Sequence, residues 1–223
     1  MWQALYEELK DEGFVVIAVA LESRGNDGAR PWIEQQKPTY PVPIDTGHVV
    51  AAAYNMINVP QAVWIDEDGM IVRPTETAGA SQGFRKMDRT TFQMPAEELA
   101  AAQTTRKIYL DAIRDWVRKG KASSYVVPAS SLAARTPKYT NEQAEANALL
   151  RLGQWLVRSG ETMSGFKLLR RASELHPDSW SIWRQTADLE QVGKSGGPEF
   201  WARVAALGEK RYYAKVAMAG VPD

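Results

Sequence analysis

The side chains that could do chemistry in this chain are few and lie far apart. It has two histidines, His48 and His176, and no cysteine. A thiolate is the nucleophile in disulfide and peroxide chemistry, so this polypeptide has no residue for either reaction, nor for a disulfide or a thiolate metal site. His48 stands close enough to Asp45 in sequence for an imidazole and a carboxylate to exchange a proton. A histidine at the start of a helix is more often a surface residue, and no catalytic residue is assigned. His176 precedes Pro177 at what reads as a helix end, where a cation suits the local dipole, so its expected role is structural. Two imidazoles so distant in sequence predict no metal site, and no other motif asks for a cofactor.

Three further stretches have both a chemical and a plain reading. The loop Ser23-Arg24-Gly25-Asn26-Asp27-Gly28 follows an apolar run and opens a helix, as a phosphate cradle would. It lacks the spacing of a dinucleotide or P-loop motif. Asp66-Glu67-Asp68 could attract a cation, but a solvated turn explains it better. Trp155, Trp180, Trp183 and Trp201 could line a peptide groove or fill a core, with Trp183 the foremost core candidate.

The elements that must position these residues can be read in order. Trp2, Leu5, Tyr6 and Leu9 put an apolar stripe on a helix over residues 1–12, with Gly13 at its end. Residues 14–21, Phe-Val-Val-Ile-Ala-Val-Ala-Leu, predict a strand buried on both faces. A short helix follows over 29–36, with Pro31 in its first turn. An extended edge piece, Tyr40-Pro41-Val42-Pro43-Ile44-Asp45, comes next, and then a helix over 48–56. Pro60 leads into an apolar β-rich run over 62–65. The turn Asp66-Glu67-Asp68-Gly69 and a return strand at 70–72 complete a hairpin. Residues 74–94 read as an inserted loop. A long helix is expected from Pro95 to about Lys119, acidic at its start, basic at its end and followed by Gly120. Residues 121–140 lack periodicity and read as a linker.

An apolar residue and Pro, then a strand ending in Asp-x-x-Gly and a short return strand, resemble the cis-proline hairpin of the thioredoxin fold, in its thiol-disulfide oxidoreductase and peroxiredoxin-like (redoxin) branch. The order of elements over residues 1–73 is similar to that family, and the resemblance extends to a closing helix at 95–119. It implies a cis Val59–Pro60 bond and makes Val59 and Pro60 a substrate- or partner-facing ridge. In the family, the strand carrying Cys-x-x-Cys precedes the first helix and lies mid-sheet; this chain begins just after that place. If the topology were kept, Phe14–Leu21 and Ala62–Ile65 would flank the missing strand and leave unpaired backbone groups in a buried sheet, at about 1–3 kcal/mol each.

The C-terminal part resembles the 34-residue tetratricopeptide pattern. One repeat can be phased over residues 146–179, with Leu149, Leu152, Gly153 and Leu156 on its first helix and Leu169, Ala172 and Pro177 on its second helix and turn. Trp183 then starts a second repeat, whose other helix runs from Pro198 to about Lys210 and keeps Ala206. About two repeats fit, fewer than usually stand alone, so this part is expected to lean on another surface.

Composition excludes some partners. Lys plus Arg and Asp plus Glu number 27 each, so no global field favours nucleic acid or an anionic membrane. No apolar run is long enough for a membrane span and none resembles a signal peptide. A hydrophobic content of 44% over 223 residues supports ordinary globular packing. The compartment is not legible.

The reading is therefore an α/β thioredoxin-like domain, truncated at the N-terminus, over residues 1–119. A linker at 120–140 and an all-α tetratricopeptide-like helical domain at 141–223 follow. The expected function is a non-catalytic protein-interaction or scaffold module without redox cysteines. It would bind a protein or peptide through Val59, Pro60, Trp155 and Trp180, and form a homo-oligomer, specifically a homodimer. The alternative is a thiol-disulfide oxidoreductase or peroxidase truncated at its N-terminus, with its catalytic cysteine or selenocysteine upstream of Met1.

Overall fold

The computed structural model describes residues 1–136, 138–186 and 197–222. Its contacts gather into two units. One comprises Met1–Glu8, Val15–Val59 and the described part of Lys138–Phe200; the other comprises Leu9–Phe14, with the described parts of Pro60–Pro137 and Trp201–Asp223. Each unit draws on both halves of the sequence.

In the first unit, helix α1 (Trp2–Leu9) leads by a short 3-10 turn to Gly13, at φ 80. The apolar run after it corrects the sequence reading. Residues 14–21 form no regular strand: Ala18 and Ala20 donate to the carbonyls of Pro41 and Pro43 at 3.0 and 2.9 Å, and Asp45 donates to Ala20 at 2.8 Å. Pro41 and Pro43 cannot donate, so the ladder shrinks to one parallel bridge, Ala20 with Ile44. Val15 and Ile17 are 54% and 60% exposed, so the run is not buried on both faces. Water reaches this open edge, and the expected penalty for backbone groups stranded inside a sheet does not arise there.

Helix α2 (Asn26–Gln36) starts earlier than Pro31 suggested and carries that proline in its interior. Helix α3 (Val49–Ala53) is shorter than expected. The two long C-terminal helices are α6 (Asn141–Arg158) and α7 (Thr162–Leu175), separated in sequence from the earlier elements by residues of the other unit. Thr140 and Gln143 close a reciprocal capping box at the start of α6. Gly153 and Gly165 let the two helices touch, and Ala146, Leu150, Leu169, Ala172 and Ile182 fill the core between them and α8 (Trp180–Arg184). Leu152, placed on the first repeat helix, is 48% exposed. Helix α9 (Pro198–Ala206) ends short of Lys210.

In the second unit the hairpin forms as its residues predict. Strands β1 (Gln61–Ile65) and β2 (Ile71–Thr77) pair antiparallel with Trp64 opposite Arg73, and Gly69 turns at φ 76. The return strand runs on to Thr77, through residues read as loop. Helix α4 (Ala96–Lys119) covers the hairpin. Trp64 donates from Nε1 to the Tyr109 hydroxyl at 3.0 Å and stacks on Trp116. The buried Arg73 guanidinium pairs with Glu76 and donates to the carbonyls of Tyr125 and Ala217 at 2.8 and 3.0 Å. The expected linker is part of this packing: Val127 donates to Val72 at 2.9 Å, and helix α5 (Ala129–Arg135) follows. Hydrogen bonding and burial over 121–127 stand in for the missing periodicity.

Candidate functional site

Two findings revise the residues singled out by chemistry. Asp45 does not pair with His48. Its carboxylate accepts from the backbone of Val49 and Val50, each at 2.8 Å, and so caps α3. His48 precedes that helix in the left-handed conformation, at φ 54, which costs a non-glycine residue roughly 1 kcal/mol or more. The second finding is that both histidines are buried, at 3% and 4% exposure, and both line one narrow cleft. Their distance in sequence argues against a shared metal site and gives no sign of a shared cleft. The chain brings them together because Ser181, at the start of α8, donates its N–H to the Ile57 carbonyl at 3.0 Å, tying the end of the helix pair to the segment after α3.

The imidazoles are held by different partners. Ser23 donates its hydroxyl to Gln185 Oε1 and accepts from Gln154 Nε2 at 3.0 Å. Its oxygen lies 3.5 Å from His48 Nε2. With its proton given to Gln185, Ser23 can only accept from His48, which fixes the proton on Nε2 and leaves Nδ1 with a bare lone pair. This is the reverse of a nucleophile–base pair, in which the serine would donate to the imidazole.

His176 has the opposite tautomer. Gln143 Oε1 accepts from the Thr140 N–H at 3.0 Å, so its amide nitrogen is the group that faces His176 Nε2, at 3.3 Å. Nε2 accepts, and the proton sits on Nδ1. Burial pushes both histidines below their ordinary range, against the opposing pull of Asp45 and Glu22 on His48 and of Asp178 on His176. Both are neutral at pH 7, so the helix-end cation proposed for His176 is not formed.

The other candidates disperse. Val59 is 45% exposed and Pro60 is exposed beside it, at the entrance to β1. Trp155 is 56% exposed on α6. Trp180 is 5% exposed and packs edge-on against Trp183 and Phe200. That burial puts Trp180 in the core, out of reach of a partner. None of these four lines the histidine cleft. Glu22 holds Arg24 by two bonds, at 3.0 and 2.9 Å, which takes the cation away from the suggested phosphate loop. Asp68 pairs with Lys121 at 2.8 Å at the hairpin tip. Among the described residues, no three His, Asp or Glu groups are placed to hold a metal ion, and no helix is long and apolar enough to cross a membrane.

Residues 1–73 match the model of the AhpC/TSA family, a redoxin family with the thioredoxin-like fold, and the match ends within β2. No curated protein and no solved structure matches the chain.

Proposed function

We propose that this chain is a thioredoxin-like interaction module without redox chemistry, whose partner is a second copy of itself. The hairpin after Pro60 and the match over residues 1–73 support the thioredoxin-like part. The α6–α7 pair, with glycines at its crossing, supports a tetratricopeptide-like helical part. The lack of cysteine and the reversed Ser23–His48 contact both argue against catalysis.

The observation that carries self-association is the open edge at residues 15–20. Its exposed side chains, Val15 and Ile17, are apolar, and no charge falls within 14–21 to oppose pairing with an identical strand. Sedimentation velocity at micromolar concentration is expected to give about twice the 24.8 kDa chain mass, and Ile17→Asp to shift it towards monomer. A compact, folded wild-type monomer would overturn this.

The family match favours one other reading, thiol-disulfide or peroxide chemistry using a cysteine or selenocysteine supplied from outside these residues. The nucleotides directly before the Met1 codon test it. An in-frame Cys-x-x-Cys, or a stop codon within such a motif, would establish that reading.

A further inference from the structure

We infer that His176 is an acid-sensitive latch on helix α6: when its ring takes a second proton, the Gln143 amide turns over and half of the Thr140 capping box opens. One side chain here serves two partners with opposite needs. Gln143 Oε1 accepts from the Thr140 N–H at 3.0 Å, and its Nε2 faces His176 Nε2 at 3.3 Å. A neutral His176 with its proton on Nδ1 accepts that amide hydrogen, so both contacts are satisfied together. A second proton has to go on Nε2, where the ring keeps its lone pair. An N–H then faces the Gln143 NH2, and two donors cannot bond. Turning the amide over gives the new N–H an acceptor, but sets the NH2 against the Thr140 N–H. The amide has a single oxygen, and its two partners lie at opposite atoms.

The surroundings of the ring set which state is held at neutral pH. Asp178 attracts the second proton, and so does the C-terminal end of α7, which His176 closes by donating its N–H to the Ala172 carbonyl at 3.1 Å. Burial opposes both and outweighs them. His48 lines the same cleft, so a charge on its ring would repel one on His176. The other polar side chains of that lining, Tyr139, Asn147, Ser179 and Ser181, are neutral, and Glu142 beside Gln143 on α6 is exposed. What the latch releases is local. Thr140 Oγ1 still accepts from the Gln143 N–H at 3.2 Å, so α6 keeps the other half of its cap. The freed end is the one next to Tyr139, whose hydroxyl donates to the Ala52 carbonyl at 2.5 Å. Acid thus loosens the tie between the start of α6 and α3 before it melts either helix.

Backbone and histidine side-chain 1H–15N correlation spectra of the intact chain, followed from pH 7.5 to 5.0, test this. At pH 7.5 His176 is expected in its Nδ1–H tautomer. On acidification the Thr140 amide resonance should follow the same titration curve as the His176 ring, while the Gln143 backbone amide moves much less. Gln143→Glu supplies the control, because a carboxylate offers one oxygen to Thr140 and the other to the protonated ring. In that variant His176 should titrate about one pH unit or more higher than in wild type, and the Thr140 amide should no longer follow it. A field effect of the ring charge alone would survive Gln143→Glu, which separates it from a turned amide. An Nε2–H tautomer at pH 7.5, a Thr140 amide that ignores the His176 titration, a ring that stays neutral until the chain unfolds, or a Thr140 amide that still follows the ring in Gln143→Glu would each overturn the inference.

Discussion

Replacing Gly165 with alanine tests the helix crossing on which the C-terminal half depends. A Cβ at Gly165 would lie 2.5 Å from Val157 Cγ2, 2.7 Å from the Gly153 carbonyl oxygen and 2.9 Å from the Val157 nitrogen. Two of these three atoms are backbone and cannot swing aside. The added methyl must push α7 off α6 and loosen Leu150, Leu169 and Ala172 beneath them. Overpacking of this kind costs about 1–3 kcal/mol, and backbone contacts place it at the upper end. Alanine in a helix interior returns about 1 kcal/mol over glycine. The net expectation is a loss of about 2 kcal/mol, or roughly 4–8 °C in Tm for a chain of this size. Gly197 is the control: a Cβ there would meet nothing within 4 Å, so Gly197→Ala should stay within about 0.5 kcal/mol. Urea unfolding followed by circular dichroism measures both. A Gly165→Ala protein as stable as wild type, or more stable, would refute the close crossing.

Acid should weaken the first unit. Both buried histidines have folded pKa values below their unfolded ones, so the unfolded chain binds more protons. Stability is full above the unfolded value of about 6.5 and falls as pH drops below it, by at most about 1.4 kcal/mol per pH unit for each histidine. Urea midpoints at pH 7.5 and 5.5 check this, and a flat profile would contradict it. In the second unit, Arg73→Met leaves the half-buried Glu76 without its guanidinium, and is expected to cost about 3 kcal/mol at neutral pH, the lower end for breaking a buried pair. Burial already pushes the Glu76 carboxyl above its ordinary range despite Arg73. The loss should shrink as acid neutralises Glu76, so a penalty that grows on acidification would count against this account.

Local chemistry made some elements legible and left others hidden. The hairpin could be read from Pro60, the β-rich run and Gly69, because turn chemistry is settled within a few residues. The long helix α4 carried its own charge pattern and closing glycine. Residues 14–21 misled because an apolar run records affinity for burial, while burial itself depends on neighbours; here Pro41 and Pro43 supply carbonyls but no N–H groups. The stretch 121–127 looked like a linker because its order comes from one backbone bond to Val72 and from Tyr125 under Arg73, neither of which leaves a periodic trace. The histidine cleft was invisible for the same reason. The Ser181–Ile57 and Tyr139–Ala52 bonds, with the two capping arrangements, bring His48 and His176 to one lining, and a sequence shows the caps without showing what they bring together.

On the proposed reading, residues 1–73 supply a thioredoxin-like frame without its redox chemistry. Turnover by the purified chain in insulin-reduction and peroxide-consumption assays tests that most directly. The account predicts rates equal to buffer in both, since the chain contains no cysteine and its buried serine gives its proton away from the imidazole. Turnover that persists after contaminating thiols are removed, and that scales with the concentration of this protein, would contradict it.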